Sequence, residues 1–453
     1  MGSIFKKKPR RLIYAGNNSS AAWRRYQSRY RKKAAKRKTM ARLPGYLAVL
    51  VAALLLIKGG FYLIDNFEAG GEKQQQDRKI SELQHSDIKK LLDPADFANQ
   101  ENNVITKKIA GRNYAFRTTL EPELQKAAVS MLDPRWARHI AIVAMEPSTG
   151  RILAMASHDR NGSTENPCLS TDFPAASLFK IITAAAAIET CGFKPERKIS
   201  FNGGKYTLYK HQLEDKQNSY TNHVSLDSAF AESVNPVFGK IGTDYLGKSM
   251  LEKYASAFGF NREIEFDLRL EKSSAPISDQ SYNWAEVACG FNRETRISPL
   301  HGAMLAASVI EDGKIMKPRL IDTVKADGQT VYRQNSESMI RAVSPKTART
   351  LKPLMHTSLT RGTARAGFSD PGGRRLMENL EIGGKTGSIN YNPDQIRYDW
   401  FSGYASQEQT GRSIAVCVLV AHEKYIGKRA ARYFREIVEQ YFDNSIMTSG
   451  LQK

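Results

Sequence analysis

The stretch Thr171–Glu189, "TDFPAASLFKIITAAAAIE", places a serine, Ser177, three residues before a lysine, Lys180. No charged residue follows from Ile181 to Ile188, and four consecutive alanines sit inside that run. Such a segment reads as a buried helix with a lysine near its head, one turn from a serine on the same face. A serine at a helix start is commonly a cap, and a lysine near a helix end commonly reaches for water. The alternative is chemical. Burial disfavours the ammonium form, and a lysine that gives up its proton near neutral pH can accept one from the serine hydroxyl. Helix N-terminal amides also favour negative charge developing on or beside that serine.

Two further short motifs follow in order. They are S-x-N at Ser233–Asn235 and K-T-G at Lys385–Gly387. Each pattern alone is weak. A second S-x-x-K occurs at Ser86–Lys89, among Asp87 and Lys90, where a lysine is solvated and protonated and cannot act as a base. Further S-x-N triplets occur at Ser281–Asn283 and Ser388–Asn390, whereas K-T-G occurs once. Order, spacing and the uncharged context of Lys180 select one copy of each. Ser233 follows a short helix, where it can relay a proton, and Asn235 can hold a substrate amide. Lys385 supplies positive charge, and Thr386 and Ser388 supply hydroxyls suited to a carboxylate. Gly383, Gly384 and Gly387 allow close backbone approach by a ligand. No G-x-S-x-G elbow is present, and no histidine is singled out as a partner for a serine triad.

"GGKTGS" also contains the tail of a phosphate-binding loop. That motif needs a glycine five positions before Gly384, where Asn379 stands, so a nucleotide site is rejected on spacing. The four cysteines form no CxxC pair and the eight histidines lack ligand spacing, so neither metal nor cofactor is expected. Cys168 and Cys191 bracket the opening helix and could be bridged or remain free thiols.

The chain has 453 residues and a formal net charge of +21. Residues 1–42 hold fifteen lysines and arginines and no acid, and Lys58 adds one more charge, leaving +5 for the rest. The next segment, Leu43–Ile64, "LPGYLAVLVAALLLIKGGFYLI", has the ~20 residues needed to cross a bilayer core. A basic block before an apolar span is the positive-inside pattern. The expected organisation is a basic cytoplasmic tail (1–42), a transmembrane anchor (43–64), an exported linker (65–110), a catalytic domain (111–443) and a frayed tail (444–453). The basic tail is assigned to topology and lipid contact rather than to nucleic acid.

Within the domain, "LEPELQKAAVSML" reads as a helix with Pro122 at its first position. "HIAIVAMEPSTGRILAMAS" reads as a β-hairpin, and "LEIGGKTGSIN", "DWFSGYAS" and "SIAVCVLVAHE" as late successive strands. "SLDSAFAES" and "TRISPLHGAMLAASVIEDG" read as helices in a long helical middle. The expected fold is α+β, with an antiparallel sheet built from opposite ends of the domain, flanked by helices and carrying an all-helical subdomain.

The three ordered motifs are the set found in active-site-serine penicillin-binding enzymes. From about Arg117 to Glu439 the chain resembles the penicillin-binding protein transpeptidase domain. "TTLEPELQ", "AIVAMEPSTGRILAM", "SVNPVFGKIGTDYLG", "ISPLHGAMLAASVIEDG", "RGTARAG" and "DWFSGYAS" resemble segments of that family in its order. The resemblance implies Ser177 as acylated nucleophile, Lys180 as its base and Ser233 as proton shuttle to the leaving group. It implies that Asn235 binds the donor peptide. Lys385, Thr386, Gly387 and Ser388 would form the strand that receives the terminal carboxylate, and the amides of Ser177 and Ser388 the oxyanion hole. The implied activity is cross-linking of peptidoglycan stem peptides ending in D-Ala-D-Ala at the outer face of a bacterial inner membrane, with β-lactams acylating the same serine. Carboxypeptidase or β-lactamase action, with water as acceptor, and a β-lactam sensor are the alternatives. Ile64 and Ser177 lie 113 positions apart, too few for the glycosyltransferase or full pedestal domain of larger relatives. A separate glycosyltransferase is therefore an expected partner.

Overall fold

The three late strand segments and the early hairpin come together in one sheet. The computed structural model describes residues 83–162, 166–391 and 395–449. Strands β1 (Val104–Ile109) and β2 (Arg112–Thr118) precede the hairpin of β3 (Ala137–Met145) and β4 (Ile152–Asp159). Short pairs follow: β5 (Lys198–Phe201) with β6 (Asn222–Ser225), and β7 (Lys314–Met316) with β10 (Ser338–Arg341). Between β7 and β10 lie β8 (Ile321–Ala326) and β9 (Gln329–Arg333). Strands β11 (Glu381–Tyr391), β12 (Ile396–Gln407) and β13 (Arg412–His422) complete the set. The central sheet runs β11-β12-β13-β3-β4, antiparallel throughout, so its edge strand β11 carries the K-T-G motif.

The helices are α1 (His85–Leu91), α2 (Pro122–Ser130), α3 (Phe179–Cys191), α4 (Leu226–Ala231), α5 (Asn235–Lys240), α6 (Gly247–Ala257), α7 (Ser281–Cys289), α8 (Pro299–Ile310), α9 (Pro345–Thr360), α10 (Pro371–Asn379) and α11 (Ala430–Ser449). Pro122 is at the head of α2, and Ser225 and Ser298 cap α4 and α8 with their side chains. One core lies between the sheet and helices α2 and α11, where Phe401, Val418, Phe434 and Ile437 are fully buried together. On the opposite side α8, apolar almost all round, packs on β3, β12 and β13 and separates the sheet from the helical region of α3 to α7.

The structure moves two expected boundaries. Residues 83–110 are not merely linker: α1 and β1 belong to the same compact unit as the rest, residues 81–453. Strand β1 pairs with β2 and, through it, with β8 and β9 in a second sheet. Its residues alternate exposed and half-buried, with Lys108 outward and Lys107 on the half-buried face paired with Asp96, so the polar composition is compatible with a one-sided strand. At the other end α11 continues to Ser449, beyond the expected frayed start at 444. Helix α8 begins at Pro299, four residues later than Thr295, because Ser298 caps it. Cys168 and Cys191 are free thiols; Cys168 is buried beside the carbonyls of Ile142 and Ala156, whereas Cys191 lies near that of Tyr245. No helix of the described residues is long and apolar enough to cross a membrane, and the expected span 43–64 lies outside them.

Candidate active site

Ser177 sits in a tight turn, Ala176–Leu178, that runs into α3. It does not cap that helix. Instead Lys180 Nζ donates to Ser177 Oγ across 2.7 Å, to Asn235 Oδ1 across 2.8 Å and to the Cys289 carbonyl across 2.5 Å. Every residue from Phe179 to Ile188 is buried, and Lys180 is fully so. Burial lowers the Lys180 ammonium from 10.5 to about 8, with no carboxylate among the causes to restore it. The uncharged run of the sequence thus has a direct electrostatic consequence for the one lysine at its head.

The second motif is held by backbone of unusual shape. Ser233 follows α4 with φ +59°, and Ala176, before the nucleophile, has φ +49°. Both are left-handed conformations that cost an L-residue about 1–2 kcal/mol, and both flank the reacting groups. Asn235 opens α5. Its Nδ2 donates to the Tyr206 carbonyl across 3.0 Å while its Oδ1 takes the Lys180 proton. The amide is therefore fixed from both ends. The loop that supplies Tyr206 is itself shaped by Gln212, 1% exposed, which donates to Asn202 and Gly204 carbonyls and accepts from Tyr209 N and Thr207 Oγ1.

The third motif closes the cluster from the sheet edge. Lys385 is fully buried, and its Nζ donates to Ser233 Oγ across 3.1 Å and to the Thr386 carbonyl across 3.0 Å. Burial, reinforced by the charge of Lys180, pushes Lys385 well below its ordinary value. The charge of Lys180 thus disfavours protonation of Lys385 in the same dry site. Thr386 Oγ1 is in hydrogen-bond contact with Thr363 Oγ1, from "RGTARAG". Ser388 Oγ donates to Asp399 Oδ1 across 3.4 Å.

Ser177, Lys180 and Asn235 thus form one hydrogen-bonded group and Ser233 and Lys385 a second, close enough for the Lys180 charge to act on Lys385, with Thr386, Gly387 and Ser388 on the strand that carries Lys385. Of the copies set aside on context, Ser388–Asn390 lies on β11 beside the K-T-G motif, and the other two lie elsewhere. Ser86 and Lys89 are exposed on α1, and Asn283, at the start of α7, accepts from Ser278 N. The glycines of β11 serve a different end from the one expected. A Cβ on Gly384 would lie 2.2 Å from the Phe401 ring, and one on Gly383 2.9 Å from Met355 and Tyr404. Their smallness admits protein packing rather than a ligand.

Three contributors carry no motif in the sequence. Gly290 ends α7 with φ +68°, and a Cβ there would lie 1.9 Å from the Ala176 carbonyl oxygen, so only glycine lets α7 back the nucleophile turn. Trp400 Nε1 donates to the Pro174 carbonyl across 2.9 Å and ties that turn to β12. Asp399, 2% exposed, receives both Arg429 Nε and Nη2, at 2.8 and 2.9 Å, and the Ala430 amide. Burial opposes its ionisation, but His422, Arg429 and that amide outweigh it and hold the carboxyl below its ordinary value. The signal for Gly290 was the glycine after an apolar helix; for the other two, nothing local distinguishes them from core.

A half-buried serine on a fully buried lysine, a second serine bridged to a second lysine, and an exposed strand edge can support acyl transfer through Ser177. The amine takes the serine proton, and amides at the strand edge and nucleophile turn can meet an oxyanion. Comparison with known proteins gives the same picture. The family model described as penicillin binding protein transpeptidase domain matches residues 140–439. The peptidoglycan D,D-transpeptidase PbpA of Mycolicibacterium smegmatis is 28% identical over 351 residues, covering 67% of this chain and 66% of that protein. Its namesake from Mycobacterium tuberculosis is 26% identical, covering 67% and 66%. The chain thus spans just under two thirds of these relatives' length. The crystal structure of PBPA from M. tuberculosis is 25% identical, covers 72% of this chain and 82% of that one, and superposes with a TM-score of 0.59. Its ceftriaxone acyl-enzyme complex, also 25% identical, covers 72% and 79% with a TM-score of 0.57.

Proposed function

The chain belongs to the penicillin-binding protein transpeptidase family, and from that premise we propose that it is a peptidoglycan D,D-transpeptidase acting through a Ser177 acyl-enzyme. The observation that carries the reading is the 2.7 Å contact between Ser177 Oγ and a fully buried Lys180 whose pKa lies near 8. About a tenth of the molecules hold Lys180 neutral at pH 7 on that value, enough to supply a base that the substrate's arrival further desolvates.

Ser177 Oγ attacks the carbonyl carbon of the penultimate D-Ala as Lys180 takes its proton. The developing oxyanion meets the amides of Ser177 and Ser388. The proton that Lys180 took is delivered through Ser233, which Lys385 positions, to the departing D-Ala nitrogen as the C–N bond breaks, and Lys180 is neutral again. Asn235 holds the donor backbone, and Thr386 and Ser388 receive the terminal carboxylate with their hydroxyls beside Lys385. An amine of a neighbouring stem then attacks the acyl carbonyl and gives its proton to Lys180; the C–O bond to Ser177 breaks, Lys180 returns the proton to Ser177 Oγ, and the cross-linked peptide leaves. A β-lactam acylates the same oxygen, consistent with a relative that forms a ceftriaxone acyl-enzyme.

The same proposal places the enzyme at the outer face of a bacterial inner membrane, held by the 43–64 span with residues 1–42 in the cytoplasm. It pairs the enzyme with a separate glycosyltransferase. Sequence alone supports these two points. The test of the reaction is product analysis with a D-Ala-D-Ala stem peptide and an amine acceptor. Appearance of the amide-linked dimer supports transfer; release of D-Ala with hydrolysed stem alone contradicts it.

A further inference from the structure

Residues 202–221, between β5 and β6, bury an aliphatic side chain and show their aromatic rings to solvent. Leu208 is 3% exposed, yet Tyr206 and Tyr209, which flank it, are 55% and 57% exposed, and Tyr220 is 85% exposed. We propose that these rings form a platform for the N-acetylated sugar chain that carries the donor stem, so that the enzyme binds its donor as part of a glycan strand rather than as a bare peptide. The proposal rests on the transpeptidase reading and extends it to the donor's sugar.

The loop is held from several sides. Asn235 N donates to the Lys205 carbonyl across 2.8 Å, and Asn235 Nδ2 to that of Tyr206 across 3.0 Å. Lys205 Nζ pairs across 2.8 Å with Glu232, the residue before Ser233. The Leu208 carbonyl accepts from the Tyr282 hydroxyl of α7 across 2.8 Å. Leu208 and Leu213 press so closely on Gly239 that a Cβ there would lie 2.9 Å from each. Farther along, Thr221 Oγ1 donates to Asn202 Oδ1, and Tyr220 N to Asn218 Oδ1, both across 2.8 Å. The Tyr209 ring lies flat beside that of His211, with centroids 5.6 Å and planes 10° apart. Rings on a loop already fixed offer contact area at little further entropic cost. Core packing explains none of the three tyrosines, since each is more than half exposed. Single exposed rings are ordinary, but a cluster of them marks a binding surface.

Charge and reach identify the ligand. The loop's charges are answered nearby: Lys205 by Glu232, Lys216 by Glu214 and Asp215 by Lys240. Lys210 is left over the Tyr282 ring, 5.7 Å from its centroid, which is not the basic stripe that an anionic lipid surface requires. A neutral ligand with both apolar and hydroxyl-bearing faces fits. The C–H face of a pyranose lies against a tyrosine ring while its hydroxyl and acetamido groups meet the phenol oxygens. Reach then selects the glycan. Asn235, which holds the donor backbone in the proposed reaction, is bonded to Tyr206, and Tyr209 lies within about 11 Å of Tyr206 along the chain. A four-residue stem extends about 14 Å. The sugar at its far end is thus within range of the rings, and its tether to a stem already in the site raises its concentration there.

The test uses the purified full chain and two soluble donors with the same D-Ala-D-Ala stem, one free and one borne on a tetrasaccharide of N-acetylated amino sugars. Release of D-Ala reads turnover. The wild type turns over the sugar-borne stem at least about ten-fold more efficiently in kcat/KM, through a lower KM. In Tyr209→Ala and in Tyr220→Ala that ratio falls toward one, while free-stem turnover and penicillin acylation stay at wild-type rates. Tyr209→Phe, which keeps the ring, keeps the ratio. Equal or slower turnover of the sugar-borne stem by a wild type that labels with penicillin, or a ratio that survives both alanine substitutions, overturns the platform and leaves the transpeptidase reading standing; the rings then serve a protein or lipid partner. No D-Ala release from either donor and no penicillin labelling overturn that reading and the platform with it.

Discussion

Lys385 Nζ donates to Ser233 Oγ across 3.1 Å, joining the edge strand of the sheet to a loop 152 residues earlier in the chain. The bond fixes the Ser233 hydroxyl against the second lysine of the site. Ser233→Ala is expected to slow acylation by penicillin about 10²–10⁴-fold, the usual loss for a positioned proton-transfer group. Lys385→Met should lose as much, and the double substitution little more than either single one, since the two act as a unit. Acylation rates from stopped-flow labelling check this. Losses that multiply in the double variant would show that the residues act independently.

Lys180 predicts a rate that climbs with pH. Its neutral form is the base, so acylation should rise about five-fold from pH 7 to 8 and level off by about pH 9. Stability moves the same way. The unfolded chain, with its lysine near 10.5, binds the proton more tightly than the folded one at about 8. Below pH 8 both states are charged and the fold bears the full cost, about 3 kcal/mol. That cost is relieved as pH rises from about 8 to 10.5. Lys180→Met should abolish acylation without lowering the Tm at pH 7. A falling Tm would mean that the three hydrogen bonds of Lys180 outweigh its desolvation.

Gly290 predicts an effect on a residue it does not resemble chemically. Gly290→Ala drives a methyl into the Ala176 carbonyl and strains a φ of +68°, so the nucleophile turn must shift. A displacement near 1 Å costs about 10²-fold in rate. The variant should fold, by circular dichroism, and label with penicillin at least about 10²-fold more slowly. Unchanged labelling would show that the turn is not held by α7.

Asp399 separates a supporting role from a chemical one. Removing it leaves Arg429 without its carboxylate and the Ala430 amide without its acceptor. Asp399→Ala should destabilise the protein by about 3 kcal/mol, read by chemical denaturation, with a slower acylation through the loosened Ser388. A stable variant would show that the pair contributes specificity rather than stability.

The approach of Ser177 to Lys180 and of Ser233 to Lys385 had local marks in the sequence: an uncharged run after Lys180, a capped helix before Ser233, and a single K-T-G on a late strand. The five-strand sheet was legible for a similar reason, as its strands are apolar runs bounded by turn residues. Other contributors were not, because their function lies in contacts between distant segments. The Cys289 carbonyl reaches Lys180 from 109 residues away, and Trp400 reaches Pro174 across 226. Residues 83–110 read as linker because β1 carries Thr106, Lys107 and Lys108 in a row, and only Asp96 and the partners in the second sheet give its half-buried face a purpose. The β11 glycines were misread because a small residue admits any close neighbour, here Phe401 and Tyr404, and sequence does not say which.

The most direct test of the central claim is labelling with a fluorescent penicillin, comparing the wild type with Ser177→Ala and Ser86→Ala. Acyl transfer through Ser177 predicts a covalent, denaturation-resistant label on wild type and on Ser86→Ala, and none on Ser177→Ala. A label that survives Ser177→Ala, or a wild type that never labels, would contradict it.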